Sequence, residues 1–550
     1  MSGLEWLVLL APATPLAFAA LAAFPVTRPW LPGLCLLAPI PALLAAVLVG
    51  EGVSPLTWLM LDAHVGLDPI GRTFLVLFAL LYLVAAWHSF YYLRRDARRN
   101  AYATFFLLTM AGNFGVAVAQ DVVTFYTGFG VMSFAAYGLI AHDRKAASHR
   151  AAGVYIGLVV VGELALFAGS LLAAAVSGAA FGPTFAPPAL ALALAGLGLA
   201  IKAGLLPVHF WLPLAHPAAP APASAVLSGA MIKVGLLGAL RFIPPDGLGT
   251  AGEFIVLLGC VTALYGVAVG VVQSDAKTLL GYSSISQMGL VAIGVGLTSG
   301  PVISDTAVAA TLLFALHHGF AKAALFMGTV ARPASSAGWP RRLRIALLVL
   351  PAMALAGAPL TSGALAKGAL KSLERGPSWL DLFIMLSSLG TVLLMTRFVS
   401  LMAKAVGDEK PGVRAPWAVS VAFSIAFLWL WPPAAAWLGY SVTLKALSMS
   451  LGPVLVGILG GLALSRLIHP RKSIIPPGDV WCAVEGLWAR RIAERKRLYI
   501  RPRRTSPPAR AMPLERLRGF ERGRLTWSFL AVAAGVVGAL LFAITTLGAG

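Results

Sequence analysis

The stretch "IKAGLLPVHFWLPLAHPAAPAPASAVLSGAMIKVGLL", Ile201 to Leu237, sets two lysines, two histidines and five prolines inside sequence apolar enough to dissolve in lipid. The rest of the chain has the same character. Of its 550 residues, 59% are hydrophobic and only 11% charged, against about 25% charged in a soluble globular chain. Apolar runs of about 20 residues, each long enough to cross a hydrocarbon core of ~30 Å, recur from Leu4 to Phe24 through to Leu525 to Leu547. We count about sixteen of them, which makes an all-α polytopic membrane protein with no room for a large soluble domain. The first run has no basic segment before it and further spans follow at once, so it is expected to stay as a helix and not to be cleaved as a signal.

The formal charge is +21, and its placement argues for topology, not for nucleic acid. Basic residues gather at Arg94 to Arg99, His142 to Arg150, Arg332 to Arg344, Lys404 to Arg414 and Arg466 to Arg524. With the spans counted in order these segments fall on one side, and Glu51, Asp62, Asp246 and Asp305 on the other; Lys371 and Arg375 are the exceptions. Basic loops stay in the cytoplasm, so this pattern implies a multi-pass protein of the cell (inner) membrane with both termini outside the cytoplasm.

Three opening helices (residues 1–100) precede two groups of five (101–243 and 251–404). Two more spans (415–470), a basic segment (471–524) and a final span (525–550) follow. Each group of five contains one span interrupted by Pro and Gly beside a lysine: Lys202 before Pro207 and Pro213, and Lys367 after Gly357, Pro359 and Gly363. Proline frees backbone carbonyls, which membrane depth tolerates only where protein or a water-filled cavity satisfies them. Five is odd, so the second group would be inverted relative to the first, as in many transporters. In the basic segment, Gly478 to Ile500 places Trp481, Val484, Trp488 and Ile492 on one helical stripe, the pattern of an amphipathic helix lying on the cytoplasmic surface. A solvated basic linker is the alternative there, and is the preferred reading of the Pro- and Arg-rich stretch beyond it.

Lys202, Lys233, Lys322 and Lys367 all fall inside apolar spans. A lysine at the bilayer midplane costs about 2.5–3.5 kcal/mol on the insertion scale, so the four together cost on the order of 10 kcal/mol. They must be hydrated, paired or neutral, and a lysine so placed can take up and release a proton. The alternative is that each snorkels or props up a broken helix. Cys35, Cys260 and Cys482 lie far apart and form no CxxC or His/Cys cluster. Nor does any segment resemble a P-loop, a dinucleotide fingerprint or a metal-ligand set. No cofactor, metal or redox centre is therefore expected in this chain, and any redox chemistry belongs to a partner.

The opening stretch, "SDAKTLLGYSSISQMG" (Ser274 to Gly289), "HHGFAKAALFMG" (His317 to Gly328) and "GAPLTSGALAKGAL" (Gly357 to Leu370) together resemble the antiporter-like subunits of complex I, group 4 membrane-bound hydrogenases and Mrp-type cation/proton antiporters. The likeness runs from about Asp68 to Met402. The "GDVW" at Gly478 to Trp481 is similar to the hydrogenase-type branch. The resemblance implies that the two groups of five are half-channels and that a central line of charged groups carries protons: Lys202, Lys233, His318 with Lys322, and Lys367. His209, His216, His317, Lys277, Pro207 and Pro359 would support it.

This chain departs from the pattern of that family in the last motif, where the family usually has Phe or Trp at the positions of Ala364 and Leu365, and at one point that matters more. The family's fifth helix carries a glutamate that pairs with the lysine corresponding to Lys202, and here "FYTGFGVMSFAAYGL" (Phe125 to Leu139) places Gly130 there. The next span, "VYIGLVVVGELALFAG" (Val154 to Gly169), carries Glu163 at about the depth of Gly130, so Glu163 is expected to replace the missing carboxylate. A local bond to a serine or a carbonyl is the alternative.

The resemblance implies a proton-translocating subunit of a redox-driven, complex I-like or hydrogenase-like assembly. Its partners would be other membrane subunits, further antiporter-like ones among them, a cytoplasmic redox or enzyme module, and lipid. The alternatives are an Mrp-type cation/proton antiporter subunit, moving Na⁺ as well as H⁺, and a non-conducting anchor for a cytoplasmic enzyme such as an inorganic-carbon capture protein.

Overall fold

In the computed structural model the described residues are 5–56, 63–298, 305–330, 339–373, 379–405, 410, 412–435, 437, 443–467, 475–482 and 485. They form helices α1 (Trp6–Ala20), α2 (Leu31–Leu37), α3 (Ile40–Leu48), α4 (Pro69–Tyr92), α5 (Arg99–Val118), α6 (Val122–Ile140), α7 (Ala146–Ser177), α8 (Ala189–Ala203), α9 (Trp211–Ala218), α10 (Ala221–Val226) and α11 (Lys233–Phe242). There follow α12 (Thr250–Gly270), α13 (Ala276–Thr298), α14 (Asp305–Gly328), α15 (Arg341–Ala356), α16 (Ser362–Lys371), α17 (Trp379–Ala403), α18 (Arg414–Leu430) and α19 (Leu444–Leu467). Among the described residues eleven helical segments are long and apolar enough to cross a membrane, with shorter apolar helices beside them. The expected final span at 525–550 and most of the basic segment, Trp488 and Ile492 included, lie outside the described residues.

One element departs from an all-helical reading. Strands β1 (Gly52–Leu56) and β2 (Ala63–Leu67) pair antiparallel between α3 and α4. The segment is too short and too polar to span, and pairing satisfies its backbone groups where a helix would not continue. Asp121 ties the hairpin to the bundle: it caps α6 through the Val123 and Thr124 amides and accepts from the His64 amide at 2.6 Å.

Interior and rim divide by burial. α13 is buried along its whole crossing window and α14 over most of it, whereas α1 and α12 turn most of theirs outward. α14 packs against α4, α10, α13, α15, α16 and α18. Lys322 therefore rides on an inner helix, where no snorkelling route to the surface exists.

A fork of two hydrogen bonds clamps one end of the first group. Asp68 caps α4 through the Gly71 amide and accepts from both terminal nitrogens of Arg241 at 2.6 and 2.7 Å. Burial pushes the Asp68 carboxyl up, but the Arg241 charge and the hydrogen bonds outweigh it and hold it below the usual carboxylate range. A depressed carboxyl stabilises the fold above its unfolded pKa, and that contribution is lost as pH falls through the folded value. Asp68→Asn is expected to cost about 1–2 kcal/mol, read as a lower unfolding midpoint in detergent at neutral pH. The gap from wild type should close in acid.

Candidate functional site

The first interrupted span divides into α8 and α9. α8 ends at Ala203, and Gly204 follows at φ 72°, the left-handed conformation that closes a helix without a Cβ penalty. Lys202 lies in its last turn, where the negative end of the helix dipole favours a cation. Trp211 Nε1 donates to the carbonyl of Ile201 at 2.8 Å, which also accepts from the Gly204 amide, and the Leu206 amide donates to Thr262 Oγ1 at 3.3 Å. Pro207, in cis linkage to Leu206, sits in the break. Of the two expected means, protein and a water-filled cavity, side chains supply the partners at these two backbone groups.

Lys202 Nζ donates to Ser133 Oγ at 3.1 Å and to the Tyr155 hydroxyl at 3.3 Å, between the rings of Phe129 and Tyr155. Glu163 lines the same small cavity with Ser133, Tyr155 and Lys202. The residue is 3% exposed and neither carboxylate oxygen has a hydrogen-bond partner among the described residues. Lys202 therefore reaches the hydroxyls next to the carboxylate and not the carboxylate itself. A Cβ added at Gly130 would stand 3.7 Å from Glu163 Oε2. The carboxylate of α7 thus occupies space that a longer side chain on α6 at position 130 would enter.

A second cluster joins the middle lysines. Between α10 and α11 the helix widens into one π turn, Leu227–Met231, the local form that leaves a carbonyl off the regular ladder. Lys233 Nζ donates to the Ser228 carbonyl at 2.5 Å. Ser228 Oγ meets Ser284 Oγ at 2.8 Å, Ser284 Oγ donates to the Leu280 carbonyl at 3.0 Å, and Lys322 Nζ donates to that carbonyl at 2.9 Å. Polar contacts thus run from Lys233 on α11 to Lys322 on α14 by way of α13, with Ser228 taking one contact on its main-chain carbonyl and the other on its hydroxyl. Since Ser284 spends its proton on Leu280, Ser228 is the donor between the hydroxyls.

The second interrupted span repeats the device with a different partner. α15 ends at Ala356 and Gly357 follows at φ 83°. Lys367, on α16, donates back to the Ala356 carbonyl at 2.9 Å and to Ser388 Oγ at 3.1 Å, again placing a cation at a helix C-terminus. Pro359 lies in the link between α15 and α16.

The histidines separate by role. His317 Nδ1 meets Ser362 Oγ at 2.8 Å, between α14 and the second break, and Ser362 donates to the Ser424 carbonyl at 2.6 Å. Buried His318 has no hydrogen-bond partner among the described residues. His216 stacks on Phe326 with ring centres 4.3 Å apart. Lys277 Nζ donates to the Ala219 carbonyl just past α9, and His209 stands in the first break. The expected line thus forms three clusters, Glu163 with Lys202, Lys233 with Lys322, and Lys367. Sequence reasoning missed the hydroxyls that hold Lys202 and Lys367, namely Ser133, Tyr155 and Ser388, and the Ser228–Ser284 contact between the carbonyls that hold Lys233 and Lys322. Ser228 and Ser284 lie within the quoted stretches Ile201 to Leu237 and Ser274 to Gly289, and a hydroxyl in an otherwise apolar span was the available signal. Among the described residues no group of His, Cys, Asp or Glu is arranged to hold a metal.

Residues 119–395, just over half of the chain, match the family described as NADH:quinone oxidoreductase/Mrp antiporter, TM. Hydrogenase-4 component B of Escherichia coli (strain K12) is 29% identical over 291 residues, 49% of this chain and 43% of that protein, so the match spans less than half of that relative's length. NADH-quinone oxidoreductase subunit N of Desulforudis audaxviator (strain MP104C) is 28% identical over 436 residues, covering 73% of this chain and 83% of that protein. A chain of the Mrp complex from Dietzia sp. DQ12-45-1b shares the fold, with a TM-score of 0.70 at 20% identity over 98% of this chain and 69% of that one. The chain belongs to the NADH:quinone oxidoreductase/Mrp antiporter transmembrane family.

Proposed function

We propose that the chain translocates protons as one membrane subunit of a redox-driven assembly. The observation that carries this is the set of four lysines, each at most 4% exposed, held at two helix ends and on a serine bridge. A lysine kept only for packing would give way to an apolar residue of similar volume at no loss. Four retained together mark an ion route. Residues 101–243 and 251–404 act as two half-channels, each with an interrupted fourth span, and Glu163 takes the part of the carboxylate displaced from position 130. Protons step from the Glu163–Lys202 cluster through Lys233 and Lys322, with His318 beside them, to Lys367.

Moving one charge against 100 mV requires about 2.3 kcal/mol, and the energy comes from a partner. The names of two relatives, a hydrogenase component and an NADH-quinone oxidoreductase subunit, support an electron-transferring module as that partner. The basic segment lies on the cytoplasmic side and both termini on the other, in keeping with the charge bias.

The test is proton uptake by sealed vesicles holding the assembled complex. Uptake that needs an electron donor and falls at least tenfold in Lys367→Ala supports the proposal. Sodium-driven proton movement without a donor would make the chain an antiporter subunit instead. No dependence on Lys367 in either assay would leave it an anchor.

A further inference from the structure

The "GDVW" segment sits on the first helix break: two of its four residues touch residues of that break and a third packs on α9. Gly478, at φ 67°, packs so closely that a Cβ there would lie 2.7 Å from Leu214 Cγ on α9. Trp481 stacks on Phe210 with ring centres 6.0 Å apart and planes 14° from parallel. Asp479 accepts from the Tyr282 hydroxyl at 3.1 Å and from the Tyr265 hydroxyl, and its Oδ1 stands 3.6 Å from His209 Nε2.

An aspartate at the start of a basic surface segment would ordinarily face water. Here its side chain is 13% exposed and meets an imidazole that is fully buried. Anchoring does not explain this, because the segment is anchored elsewhere. Arg150 on α7 forks onto Glu485 at 2.5 and 3.2 Å, Trp481 Nε1 donates to Glu485 Oε1 at 2.7 Å, and Gln273 donates to the Ile475 carbonyl at 3.1 Å. The carboxylate adds a proton-accepting group that the break otherwise lacks. Two phenol donors steady its ionised form. His209 has no hydrogen bond on either ring nitrogen among the described residues, leaving one nitrogen to face Asp479 and the other to pass a proton on.

We propose that Asp479 is the proton-exchanging group at the mouth of the first half-channel, so that the segment after the last described helix completes the proton path. In the inward step the proton leaves the Asp479 carboxyl for His209 Nε2, giving a carboxylate held by Tyr265 and Tyr282 and an imidazolium whose Nδ1 proton passes to a water molecule, leaving the ring neutral. The 3.6 Å gap closes to a hydrogen bond with one side-chain adjustment. This inference rests on the proton-translocating reading above.

The experiment uses the full assembled complex in sealed vesicles. Asp479→Asn should lower proton uptake at least tenfold, Asp479→Glu should retain most of it, and Glu485→Gln, which weakens the anchor alone, should leave it near wild type. Maleimide labelling of Cys482, with Cys35 and Cys260 changed to serine, reports docking and should proceed in Asp479→Asn at the wild-type rate. Wild-type uptake in Asp479→Asn would overturn the inference. So would loss of uptake accompanied by faster Cys482 labelling, the mark of a merely structural contact. Lys367→Ala in the same vesicles separates the two readings: if it loses uptake while Asp479→Asn keeps it, the inference alone fails; if both keep it, the proton-translocating reading has failed as well.

Discussion

Glu163→Ala is expected to remove at least nine-tenths of proton translocation from an assembled complex, and Glu163→Gln to do nearly as much. The carboxylate shares one cavity with Lys202, and both are buried. Taking away the nearby negative charge leaves a protonated Lys202 with hydroxyl and ring partners only, and an uncompensated buried charge costs about 3–5 kcal/mol. Even a third of that is tenfold in the occupancy of the proton-carrying state. Quinoline-dye or pH-electrode uptake per electron pair checks the result, with assembly followed on native gels.

The second large effect concerns the middle of the route. Lys322→Ala should abolish translocation, because it removes the proposed proton carrier on α14. Ser284→Ala is the more discriminating change. It leaves Lys233 and Lys322 in place and removes the hydroxyl between the Ser228 hydroxyl and the Leu280 carbonyl. Two hydrogen bonds of about 1 kcal/mol each are lost, so translocation should fall by about tenfold or more, and Ser284→Thr, which restores a hydroxyl, should recover most of it. The same uptake assay decides; an unaffected Ser284→Ala would mean that translocation does not depend on this serine contact.

Much of this arrangement was legible before any coordinates. Prolines and glycines beside Lys202 and Lys367 marked both helix breaks, and the structure places each break within those residues. The vacant position at Gly130 and the carboxylate at Glu163 were visible as a departure and a candidate for it, and the two are neighbours in space. What periodicity could not supply was which hydroxyl on one helix meets which lysine on another. The pairing of Ser228 with Ser284 depends on the π turn, which turns the helix face by a fraction of a residue and leaves no mark in a hydropathy pattern. The direct pairing expected of Glu163 with Lys202 takes a looser form, because Ser133 and Tyr155 reach the ammonium first. Asp479 was hidden for another reason. It lies more than 200 residues from its partners Tyr265 and His209, in a segment whose basic composition reads as surface.

The central claim is that a carboxylate moved from α6 to α7 still serves Lys202, and one variant tests it most directly. Gly130→Glu combined with Glu163→Ala returns the acid to its family position and vacates the space it needs, since a Cβ at 130 already points to within 3.7 Å of Glu163 Oε2. Proton uptake should be lost in Glu163→Ala and regained, to at least half the wild-type rate, in the double variant. If Glu163→Ala pumps as wild type does, or if the assembled double variant stays as inactive as the single one, Glu163 is not the displaced partner of Lys202.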